Sequence, residues 1–161
     1  CVSEDSDYGF FCDIDEELIN MPVKHPNGFS VKSVMKKYIN MVAEFHTAFN
    51  MPDPQDYKQL GKQQYELRHR LLEEENNEYL EACGNDDLVG IADALGDQLY
   101  IIYGTILKHG LQDRIEEVFT EIHRSNMSKL DENGKPILRE DGKILKGRNY
   151  FKPNKLKILD D

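Results

Sequence analysis

Leu71-Leu72-Glu73-Glu74-Glu75-Asn76-Asn77-Glu78, read together with Asp93-Ala94-Leu95-Gly96-Asp97, decides how this chain folds. On a helix turning about 100° per residue, Glu74, Glu75 and Glu78 fall in the same arc as Leu60, Leu67, Leu71 and Ala82. Carboxylates on an apolar face are costly to bury unless something positive meets them, and no lysine or arginine is expected in that arc. In the second stretch Asp93 and Asp97 share one stripe with Gly90, Tyr100 and Gly104. They are the only charges between the first turn of that helix and Lys108, and two acids at this spacing repel one another. Five oxygen donors on two adjacent helices predict a hard divalent cation, Mg²⁺ or Mn²⁺. The bland alternative for the glutamates is an exposed charged strip.

Outward from this pair, hydrophobic spacing predicts four helices. Ser30 is a candidate N-cap for the first, which carries Val31, Val34, Met35, Tyr38, Val42, Phe45 and Phe49 and closes before Asn50 and Pro52. His46 beside that stripe is expected as a surface or core-edge residue rather than a ligand. The second helix is expected from about Asp56 to Ala82, ending at Cys83-Gly84. The third runs from the Asn85 to Asp87 region to about Lys108, apolar all round and so expected to be buried on most sides, and the fourth from about Asp113 to Ser125. Asn133-Gly134 and Asp141-Gly142 are turn signals, the second flanked by Ile137-Leu138 and Ile144-Leu145 as in a small β-hairpin. The fold class is therefore all-α: a four-helix, bundle-like core with a short C-terminal hairpin or loop.

Charge is unevenly distributed over the 161 residues, whose formal net charge is −10. Residues 1–29 form an acidic arm, read as flexible or surface-draped, with Tyr8, Phe10 and Phe11 as possible anchors, and residues 30–161 form the domain with a basic tail. The net charge argues against a nucleic-acid polymer as partner. No apolar run reaches the roughly 20 residues of a membrane span. Scattered Cys1, Cys12 and Cys83 favour reduced thiols in an intracellular, cytoplasmic setting. Residue 1 is not methionine, so a processed chain or a piece of a longer one is expected. A di-iron site is poorly supported, because Glu66 and His69 project away from the glutamate arc.

Magnesium held by carboxylates usually meets substrate phosphates, whose remaining charge needs protein cations. The candidates are Arg124, Asn126 and Lys129 at the end of helix four, with Lys143 and Lys146 beyond it.

These residues resemble the all-α nucleoside triphosphate pyrophosphohydrolases, the MazG-like superfamily, in particular its phosphoribosyl-ATP pyrophosphohydrolase-like branch. The resemblance runs from about Val42 to Phe151 and rests on four motifs in order: Glu44-Phe45-His46 with Phe49, the Leu71 to Glu78 stretch, Asp93 to Asp97 with Tyr100, and His123 to Lys129. It implies that EExxE falls on Glu74, Glu75 and Glu78, with Glu75 and Glu78 as metal ligands and Glu74 as ligand or water-orienting base. The ExxD motif finds Asp97, but Ala94 holds the glutamate position, and Asp93 is the candidate substitute, as in relatives carrying DxxxD. The resemblance also implies Mg²⁺-dependent cleavage between the α and β phosphates of a nucleoside triphosphate, giving a monophosphate and pyrophosphate, and a homodimer or homotetramer. The alternatives are phosphoribosyl-ATP pyrophosphohydrolase-type activity, a non-catalytic nucleotide-binding domain motivated by Ala94, and an interaction module docked through the arm.

Overall fold

The computed structural model describes residues 31–160, and the acidic arm and the Ser30 cap lie outside them. Five helices follow in order: α1 Val31–Ala48, α2 Lys62–Gly84, α3 Leu88–Lys108, α4 Ile115–Met127 and α5 Lys155–Asp160. None among the described residues is long and apolar enough to cross a membrane.

Helix α1 ends as its sequence predicts. Asn50 takes a positive φ of 54° and Met51 N–H donates to the His46 carbonyl at 2.8 Å, which turns the chain into Pro52. Helix α3 starts on Asp87, whose carboxylate accepts from Val89 N–H at 3.1 Å and Gly90 N–H at 3.0 Å. This caps two amides that have no partner inside the helix.

Helix α2 begins at Lys62, not near Asp56. The residues before it form a strap tied to the end of α3: Lys58 N–H donates to the His109 carbonyl at 3.0 Å, and Lys108 Nζ donates to the carbonyls of Met51 and Pro52. Gly110, at φ +70°, makes room for the Asp56 carbonyl, where a Cβ would collide. Long-range partners thus hold extended a segment whose composition suits a helix.

α2 and α3 pack most closely, and α1 lies on α3. The α2–α3 pairing is antiparallel, because Arg68 meets Ile101 and Thr105, Glu75 meets Gln98, and Ala82 faces Gly90. The core is Ile39, Val42, Ile106 and Leu107, with Met35, Ala43, Tyr103, Leu111 and Ile115 packed against it. Met35 and Val42 belong to the α1 stripe read from the sequence, but Ile39 does not, and Val34, Tyr38, Phe45 and Phe49 of that stripe are exposed in the single chain. So are Leu88, Val89, Leu95, Leu99 and Ile102 of α3, which packs on α2 and α1 along only part of its surface.

The expected hairpin reduces to one antiparallel bridge between Leu138 and Ile144, closed by Gly142 at φ +79°. Both bridge residues are exposed, so there is no apolar face to extend a two-stranded ribbon. The tail instead folds back on α4: Ser125 Oγ donates to the Phe151 carbonyl at 2.8 Å, and Asn154 N–H donates to Glu121 at 2.8 Å. α5 packs on α4 and has no counterpart in the sequence reading.

Candidate metal and phosphate site

The antiparallel register brings the two acidic stretches together. Gln98 Nε2 donates to the Glu75 carbonyl oxygen at 3.4 Å, which places Asp97 beside Glu75. The same register sets Glu78 level with Ala94 and Asp93. The Glu75 carboxyl is pushed above the usual glutamate range, first by burial and then by the charges of Glu78, Asp97, Glu74 and Asp93. All five acids therefore act on one region of space.

They are not equally buried. Glu75 is half-buried, with Oε2 enclosed and without a hydrogen-bond partner, whereas Glu74, Glu78, Asp93 and Asp97 are exposed in the single chain. This corrects the expectation that the glutamates all point with the apolar face. The reason is that α2 packs on α3 along one side, and the flank bearing Glu74 and Glu78 lies beyond that seam. Leu67, from the same arc, is also 46% exposed.

The expectation of no cation in the arc needs a second correction. Arg68 precedes Glu75 by two turns, and its half-buried guanidinium lies in the α2–α3 seam. Nε donates to Thr105 Oγ1 at 2.9 Å and Nη2 to the Ile101 carbonyl at 2.5 Å. Burial holds its pKa below the usual arginine value, and the charge of Asp53 offsets part of that. Arg68 is spent on α3 and leaves Glu75 Oε2 unpartnered.

The donor chemistry fits a hard divalent cation: oxygen only, one orphaned buried carboxylate oxygen, and mutual repulsion that a cation relieves. Among the described residues, no three acidic, histidine or cysteine side chains are already drawn together as a metal-holding group. Coordination therefore requires side-chain rotation of the exposed acids. Ala94, at the ExxD glutamate position, is 2% exposed, so the neighbouring exposed Asp93 is the carboxylate available there. Glu66 pairs with Lys62 at 3.7 Å, and His69 is exposed on its own side of α2.

The phosphate candidates are anchored locally. Arg124 pairs with Glu121 at 2.8 Å and lies 4.9 Å from the Phe151 ring centroid. Lys129 Nζ donates to Asn126 Oδ1 at 2.8 Å, and Lys146 stands 4.5 Å over the Tyr150 ring. Lys143 is exposed, with its backbone N–H on Asp141. No hydrogen bond described for these side chains reaches the carboxylates of α2 and α3 within one chain.

A polar network missed by the sequence reading sits behind the site. His46 is buried, with Nδ1 2.8 Å from both oxygens of Asp53, and Lys108 Nζ lies 2.9 Å from the same carboxylate. His46 is therefore buried rather than at the surface or core edge, because Asp53 and Lys108 from other segments cover it. Its partner Asp53 lies in a proline-flanked loop with no periodic signal.

Sequence comparison matches residues 42–126 to the family described as phosphoribosyl-ATP pyrophosphohydrolase. Among solved structures, the chain is similar to a protein from Exiguobacterium sp. 255-15 described as a candidate NTP pyrophosphohydrolase. The identity is 23%, covering 75% of this chain and 90% of that one, with a TM-score of 0.41. No curated protein matches.

Proposed function

Because this chain belongs to the phosphoribosyl-ATP pyrophosphohydrolase family, we propose that it hydrolyses a nucleoside or deoxynucleoside triphosphate between the α and β phosphates, with Mg²⁺ or Mn²⁺. The observation that carries the reading is Glu75: a half-buried carboxylate with an unpartnered oxygen, its charge opposed by four neighbouring acids. A site that raises the cost of its own ionisation in this way is suited to a divalent cation.

Glu75, Glu78, Asp93 and Asp97 would hold the metal, with Glu74 as a further ligand or as the base. The metal, when bound, would supply charge neutralisation at the phosphates and lower the pKa of bound water. Glu74, exposed next to Glu75, would accept the proton of the attacking water. The water oxygen bonds to the α-phosphorus, and the bridging oxygen leaves with pyrophosphate. Arg124, Asn126, Lys129, Lys143 and Lys146 would steady the phosphates. Their distance from the α2–α3 acids in bonding terms supports an arrangement in which a neighbouring subunit of a homodimer or homotetramer completes the site. Leu80, Leu88, Val89 and Phe119, each over 60% exposed, offer apolar surface for that contact.

The test is pyrophosphate release from a panel of nucleotides and phosphoribosyl-ATP under saturating Mg²⁺, with Glu75→Gln as control. Release from phosphoribosyl-ATP alone selects the narrower activity that the family description suggests. A folded, metal-binding protein idle on every member selects a non-catalytic nucleotide-binding domain, the reading favoured by buried Ala94.

A further inference from the structure

Two cross-helix ties fix the register of α2 on α3: Gln98 to the Glu75 carbonyl, and the fork of Arg68 on Thr105 Oγ1 and the Ile101 carbonyl. The second is the stronger, at 2.9 and 2.5 Å with a charged donor. Its seat is built by Gly104. A Cβ there would stand 2.8 Å from Arg68 Nη2 and 3.3 Å from His46 Nε2. Glycine inside a helix costs stability relative to alanine. Here it opens the space in which the guanidinium and the buried imidazole converge.

The planar fork matters as much as the charge. A guanidinium engages a hydroxyl and a carbonyl one turn apart at once, so it resists sliding of α2 along α3, which a point charge on a flexible stem does not. Two turns along α2 stands Glu75, and one turn before Ile101 on α3 stands Asp97. A slip at Arg68 is transmitted along two rigid helices to the facing acids.

We propose that Arg68 is the positioning residue of the acidic wall: clamped across the α2–α3 seam over Gly104, it sets the register at which Glu75 and Glu78 face Asp93 and Asp97. The proposal rests on the metal-site reading above, and it concerns the chain's own geometry before any substrate binds. Arg68 touches neither substrate nor metal. It acts through the helices that carry the ligands.

The experiment measures Mn²⁺ affinity of the full chain by electron paramagnetic resonance, without nucleotide, beside thermal melting. Three variants are compared with wild type: Arg68→Lys, Thr105→Val and Gly104→Ala. The alanine methyl meets the far end of the Arg68 side chain at 2.8 Å and the His46 ring at 3.3 Å, so this variant displaces the guanidinium and presses on the imidazole. Exposed Arg70→Lys is the control. Each seam variant is expected to weaken Mn²⁺ binding about tenfold, the scale of a lost supporting interaction at a metal site, and Gly104→Ala combined with Arg68→Lys is expected to be no weaker than either alone. Wild-type Mn²⁺ affinity in folded Arg68→Lys and Thr105→Val, whatever their melting temperatures, overturns the proposal. Failure of wild type itself to bind Mn²⁺ overturns the metal reading instead, and the two failures are thus distinct.

Discussion

The imidazole of His46 and the carboxylate of Asp53 meet at 2.8 Å, seven residues apart, where α1 gives way to the strap leading to α2. Both side chains are largely enclosed, at 4% and 14% exposure, and Lys108 brings α3 onto the same carboxylate. Removing Asp53 leaves a buried histidine without its partner and a partly buried lysine with only the Met51 and Pro52 carbonyls. Asp53→Ala is expected to cost about 3 kcal/mol, lowering the melting temperature by about 6–12 °C. Asp53→Asn, which keeps an acceptor for the imidazole N–H, is expected to lose less. Equal losses for the two variants in a thermal melt would show that the charge is irrelevant.

In the proposed metal site, Glu75 would set a trade-off between stability and metal binding. Its folded-state pKa is raised, so the folded chain holds the proton more tightly than the unfolded chain does. The resulting penalty is absent below the unfolded glutamate range and grows as pH rises through the raised value. Glu75→Gln is therefore expected to raise the melting temperature in chelator at pH 7, by about 2 °C, and to abolish pyrophosphate release. Added Mg²⁺ should then stabilise wild type and not the variant. A Glu75→Gln chain that melts lower in chelator than wild type removes the electrostatic argument.

Acid is expected to loosen the C-terminal tail before the helical core. The Glu121 carboxyl is held below its usual range, first by Asn154 N–H and also by Arg124. Asp131 is held low by the amides of Lys135 and Asn133, and Asp141 by Arg139 and the Lys143 amide. Depressed carboxylates contribute stability above their unfolded values and lose it as pH falls through the folded ones. Protection of the amides of Asn154, Lys135 and Lys143, corrected for the slower intrinsic exchange in acid, should therefore fall on acidification while the amides of α3 stay protected. Simultaneous loss of protection in both regions would contradict this.

Lys143, the phosphate candidate with no side-chain partner described here, gives the cleanest substrate test. Lys143→Ala is expected to raise KM for the nucleotide about tenfold, the scale of one charge-assisted hydrogen bond at about 1.5 kcal/mol. Mn²⁺ affinity without nucleotide should not change. An altered Mn²⁺ affinity with unchanged KM would assign the lysine elsewhere.

The long helices were legible because their apolar residues repeat at helical spacing and their ends carry strong stops: Asn50 before Pro52, and Asp87 as cap. The start of α2 was not, because Tyr57 and Leu60 continue a helical pattern while the His109 carbonyl, far along the chain, holds the strap extended. Six residues of α5 are too few for a period to appear. At the site, spacing brought the five acids to one place, but exposure depends on which neighbours cover each flank. Arg68 escaped because the arc was bounded by its apolar and acidic members, and the guanidinium lies about 20° beyond Glu75.

Among the described residues the buried apolar side chains are Ile39, Val42, Ala82, Ala94, Ile106 and Leu107, a slender interior beside Leu88 at 77% and Val89 at 80% exposure. The proposed association would supply part of such a fold's free energy, and mass action would then link its melting point to how much of it is in the tube. Dilution is expected to act on this molecule as a mild denaturant, with the midpoint of a thermal scan falling steadily from micromolar to nanomolar samples.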